Sequence, residues 1–140
     1  MPLLKNGKYR EVFPSSINNL EKVEQLTSKI SRELNFRNSD IDDLSIAITE
    51  LFNNAIHHGN KNNDQKRITV QYSVNASGLK ISVKDQGKGF VPDEIKDPLA
   101  PENLLAESGR GLYLVKKLMD KVEVKIHDDG CEIVIAKRLP

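Results

Sequence analysis

The sequence contains no tryptophan and one cysteine, and only 5% of its residues are aromatic. With so few flat side chains, a platform for stacking nucleic-acid bases is not expected. Cys131 has no partner for an internal disulfide, which points to a reducing, cytoplasmic setting. A dominant sign of charge is also missing. The 21 basic residues stand against 20 acidic ones, for a net charge of +1, so there is no broad electrostatic footprint for nucleic acid. No apolar run approaches the ~20 residues that span a bilayer, and Met1–Arg10 lacks the apolar stretch of a signal peptide. What remains is 140 residues, 38% hydrophobic and 29% charged. That suits one domain with one core, covering 1–140.

Hydrophobic spacing divides the chain. Tyr9–Phe13 reads as a short strand that Pro14 ends, after which Ser15 or Ser16 can cap a helix. Ile17, Leu20, Val23, Thr27, Ile30 and Leu34 recur at spacings of three and four and give that helix one apolar side. Asn35–Asn38 breaks it. Ser39 or Asp40 is the expected cap of a second helix, whose buried stripe is Ile41, Leu44, Ile48, Leu51 and Ala55, and Gly59 ends it. Ile68, Val70, Tyr72 and Val74 alternate with polar residues as in a strand, and Leu79, Ile81 and Val83 do so again with Asp85 in phase. Phe90–Ser108 carries three prolines and many charges and reads as a long loop, a length that is usually functional. Gly111–Met119 reads as a helix, and Val122–Ile126, Asp128–Gly130 and Cys131–Lys137 as a closing hairpin. The order β-α-α-β-β-loop-α-β-β predicts an α+β, two-layer sandwich: helices on one face of a mixed, mostly antiparallel sheet.

Three segments could carry chemistry. Glu50, Asn54 and His58 lie four apart and form a polar ridge on the second helix. An amide oxygen there can ligate a hard cation such as Mg²⁺, and a carboxylate can accept a proton from an attacking hydroxyl. A solvated helix face would look the same. Asp85, Gln86, Gly87, Lys88 and Gly89 follow. A carboxylate on the apolar phase of a strand needs a donor, which the exocyclic amine of adenine could supply, and the glycines would let backbone approach a ligand. A plain turn is the alternative. Gly109-Arg110-Gly111-Leu112 stands at a helix start, where free N–H groups and the helix dipole favour an anion; a loop hinge is the alternative. The order and spacing of all three point to a nucleotide more specifically than any one.

Together the segments resemble the GHKL ATPase/kinase superfamily. Glu50–Gly59 (ELFNNAIHHG) looks like its N-box, Asp85–Gly89 (DQGKG) like its G1 box and Gly109–Leu112 (GRGL) like its G2 box. The compact size and the stretch Gly111–Asp120 are most similar to anti-sigma factor serine/threonine kinases of bacterial partner-switching systems. The resemblance, from about Tyr9 to Lys137, implies a Bergerat-type fold with an ATP lid at about 90–108. It implies Glu50 as the catalytic carboxylate and Asn54 on Mg²⁺. It further implies a nucleotide pocket formed by Asn54, His58, Asp85, Gly87, Gly89, Gly109, Arg110, Gly111, Leu112 and Cys131. Where relatives often carry Thr after a glycine in the closing hairpin, this chain has Cys131, a weaker donor.

The implied function is an ATP-dependent serine/threonine kinase. Its partners would be a sigma factor held inactive and an anti-anti-sigma (STAS-type) protein phosphorylated as substrate; the enzyme would be a homodimer engaging neither nucleic acid nor membrane. The competing reading is a catalytically silent module that sequesters a partner in a nucleotide-dependent way. A histidine-kinase catalytic half fits poorly, because the first helix contains no histidine to accept a phosphoryl group.

Overall fold

A computed structural model describes residues 4–87 and 107–140, without the side chains of 107–110. Strand β1 (Lys8–Pro14) is followed by a 3₁₀ turn at Ile17–Asn19 and by helices α1 (Leu20–Glu33) and α2 (Asn38–Asn54). A π-helical turn, Ala55–Gly59, extends α2. Strands β2 (Arg67–Asn75) and β3 (Gly78–Lys84), helix α3 (Glu107–Leu118), and strands β4 (Lys121–His127) and β5 (Gly130–Lys137) complete the order.

The five strands form one sheet in the order β1-β2-β3-β5-β4, and every pairing is antiparallel. Alternation decides which face is covered. Ile68, Val70 and Tyr72 of β2, Leu79, Ile81 and Val83 of β3 and Ile135 of β5 are buried under the helices. Gln71, Ser73, Lys80, Ser82 and Lys125 line the opposite, polar face. The helices answer with Val23 and Ile30 of α1, Leu44, Ile48, Leu51 and Phe52 of α2, and Leu112 and Val115 of α3. Phe52 meets Phe13 of β1 edge-on, with ring centroids 5.9 Å apart. The one hydroxyl pair in this region is satisfied internally. Thr27 donates to the Val23 carbonyl and so receives the Tyr72 hydroxyl at 2.6 Å, and burial raises the Tyr72 phenol above its ordinary value.

Three boundaries differ from the sequence reading. Helix α2 begins at Asn38, after Arg37 in an extended conformation, with no side-chain cap from Ser39 or Asp40. Asp40 instead lies in the first turn, 3.3 Å from Arg37, where a carboxylate favours the positive helix end. The regular part of α2 stops at Asn54, not Gly59. Helix α3 starts at Glu107, a turn before Gly111, so the glycines lie within its beginning and do not precede it. Packing of α3 on α2 offsets the roughly 1 kcal/mol that each glycine costs a helix. Gly89 and most of the expected lid, 90–106, lie outside the described residues. Among the described residues no helix is long and apolar enough to cross a membrane.

Candidate nucleotide site

Two of the three sequence segments meet at Asp85. Its residue is 7% exposed, and a buried carboxylate must be compensated. Oδ1 accepts the Gly87 N–H at 2.9 Å and the Cys131 N–H at 3.1 Å, while the Asp85 N–H donates to the Cys131 carbonyl at 3.0 Å. Both side-chain bonds fall on one oxygen. Oδ2 makes no hydrogen bond among the described residues and lies against Gly59.

Glycine makes this arrangement possible at three positions. A methyl group on Gly59 would collide with the carboxylate of Asp85 and lie 2.8 Å from its Cβ. One on Gly87 would collide with the Gly59 carbonyl oxygen, and one on Gly130 with the Asp85 carbonyl oxygen. The N-box glycine is therefore more than a helix stop. It lets the end of α2 lie directly on the strand-end carboxylate. The π turn contributes to this: the Asn60 N–H reaches back five residues to the Ala55 carbonyl at 2.8 Å, and such widened turns are frequent at functional sites.

The third segment meets the first. Gly111 of α3 faces α2 so closely that a methyl group there would lie 2.5 Å from Glu50 Oε2 and 3.9 Å from Asn54 Nδ2. Glu50 and Asn54 are both half-buried. The ridge does not continue to His58, which is exposed, because the π turn departs from the α-helical period that would have aligned it. Leu112 is buried in the core and anchors α3, so only its main chain could touch a ligand. Gly109 and Arg110 fall in the first turns of α3, where free N–H groups and the dipole suit an anion.

Cys131 supports Asp85 through its main chain, a contact that its weak side-chain donor does not limit. Burial, with Asp85 second and Glu132 third, pushes its thiol up to about 11. The sequence analysis reads Gly130 only as part of a turn and assigns no role to Asn60. Gly59 and Gly130 lie 26 and 45 positions from Asp85 in the chain, so no local pattern ties them to it.

Two groups of contacts thus lie along one helix: Glu50, Asn54 and Gly111 at one point, and Gly59, Asp85 and Gly87 at its end. A model of the histidine kinase-like ATPase domain matches residues 13–137. The chain belongs to this family. Curated relatives agree. Serine-protein kinase RsbW of Bacillus licheniformis is 38% identical over 119 residues, covering 80% of this chain and 73% of that protein. Its counterpart in Bacillus subtilis strain 168 is 30% identical over 118 residues, with the same coverage. Among solved structures, the RsbU and RsbW domains of a Mycobacterium tuberculosis protein superpose with a TM-score of 0.70 at 20% identity, covering 94% of this chain but 32% of that longer one. The catalytic domain of histidine kinase ThkA gives 0.61 at 15% identity, covering 94% and 98%. At these identities the likeness is one of fold.

Proposed function

We propose that the chain is an ATP-dependent serine-protein kinase and anti-sigma factor. It binds a sigma factor and phosphorylates an anti-anti-sigma (STAS-type) protein, so regulating transcription by partner switching in the cytoplasm as a homodimer. The observation that supports this best is that α2 joins two chemistries. Its end abuts Asp85, whose Oδ2 makes no hydrogen bond among the described residues, and its middle sets Glu50 and Asn54 against Gly111. The kinase relatives match over most of the chain.

In this reading Asp85 Oδ2 accepts the adenine amine, with Oδ1 fixed by two main-chain donors. The first turns of α3 supply N–H groups to phosphate, and Gly111 lets that helix approach without a side chain in the way. Asn54 would contribute its amide oxygen to Mg²⁺, which neutralises charge on the phosphates when bound. Such an ion keeps several waters and needs few protein ligands. Glu50 accepts the proton of the substrate hydroxyl as it attacks.

The test is transfer of label from γ-labelled ATP, with Mg²⁺, to a purified anti-anti-sigma protein. Glu50→Gln should bind ATP within about threefold of the parent and lose transfer by about 100-fold or more. Transfer unchanged in that variant removes Glu50 as the base. ATP binding without any transfer by the parent chain would leave the nucleotide-gated sequestering module as the function.

A further inference from the structure

Asn60 is a fully buried amide, 0% exposed, immediately after the glycine that touches Asp85. Burying an amide is costly unless its bonds are made, and here they are. Oδ1 accepts the Gln86 N–H at 2.8 Å, and Nδ2 donates to the Arg67 carbonyl at 3.1 Å. The Asn60 N–H closes the π turn on Ala55. Gln86 completes the ring by accepting the Arg67 N–H on its side-chain oxygen at 2.6 Å. Three pieces of chain are tied together: the end of α2, the start of β2 and the segment leaving β3.

The attachment points matter. Gln86 lies between Asp85 and Gly87, and the Gly87 N–H holds Asp85 Oδ1. Gly59, the other neighbour of Asn60, packs on the same carboxylate. Asn60 therefore touches both flanks of the Asp85 head group: its side chain holds the Gln86 N–H, and its main chain continues from Gly59. A clamp serving stability alone could lie anywhere along β2 and β3.

We propose that Asn60 is a positioning residue for base selection. Acting through the Gln86 main chain and Gly59, it holds the Asp85 carboxylate where it accepts from an exocyclic amine and rejects a base with a carbonyl there. The proposal rests on Asp85 as the adenine acceptor.

Calorimetric affinities for ATP and ITP, which differ at that group, supply the readout. Folded Asn60→Ala, checked by circular dichroism, should lose about tenfold in ATP affinity and little for ITP, raising KM more than it lowers kcat. In an Asp85→Asn background the same substitution should change ATP affinity by less than about twofold, since coupled residues are not additive. Asn60→Asp provides a second variant should Asn60→Ala not fold. Its protonated acid can make both bonds, while the ionised form loses the donor to Arg67. Its ATP/ITP ratio should therefore fall as pH rises, where the parent ratio stays flat. Equal losses for ATP and ITP, additivity with Asp85→Asn, or a flat ratio in Asn60→Asp would each overturn the proposal. If Asp85→Asn alone leaves the ATP/ITP ratio unchanged, the adenine reading itself falls. If it collapses the ratio while Asn60→Ala does not move it, only the positioning proposal falls.

Discussion

The two ends of the site answer the same problem, a carboxylate against a glycine, in opposite ways. Asp85 is short and buried, and main-chain donors grip it from two directions. Glu50 is longer and half-buried, and the atom nearest Gly111 is the far end of a flexible side chain. In the proposed reading, the base end is rigid and the phosphate end can yield. A site that must recognise one base but let phosphoryl groups come and go suits that division.

The sharpest way to break the comparison is to make one substitution at both ends. Gly59→Ala sets a methyl group into a carboxylate that has nowhere to move. ATP affinity should fall by about 100-fold or more, measured by calorimetry on folded protein. Asp85→Asn comes next. The two N–H donors keep Asn Oδ1 in place, which leaves an NH₂ group facing the adenine amine, donor against donor. A loss of about 10- to 100-fold in ATP affinity is expected, with little change in thermal midpoint. Gly111→Ala should act in two directions. The helix gains up to about 1 kcal/mol from alanine, while Glu50 is pushed aside and transfer slows by about tenfold with ATP affinity nearly constant. A variant that lost affinity as severely as Gly59→Ala would show the phosphate end to be equally rigid. Cys131→Ser should do least, under about threefold on ATP affinity, because the main-chain N–H at that position makes the bond to Asp85.

Much of this was legible in the sequence. Alternation placed Ile68, Val70 and Tyr72 on one face, and the same phase carried Asp85 inward. The three-four spacing gave the buried stripe of α2 through Ala55. The misses have physical reasons. The capping rule looks for an oxygen-bearing side chain, but α2 begins behind Arg37 without one. The glycines at 109 and 111 read as a helix boundary, yet burial of Leu112 and Val115 carries the helix through them. The π turn depends on how tightly Gly59 must approach Asp85, a contact between residues 26 positions apart in numbering that no local window contains. Asn60 was hidden because composition marks its neighbours as solvated, and only the fold shows one amide among them turned inward.

The thiol beside Asp85 has a consequence for chemical probes. Burial pushes this thiol up to about 11, so Cys131 is held as the unreactive thiol at neutral pH. An acrylamide or chloroacetamide built onto an adenine scaffold would reach a sulfur that scarcely reacts. Covalent capture, often the route to selectivity among similar ATP sites, is disfavoured at this cysteine. A selective ligand would have to gain its preference from shape and hydrogen bonding alone.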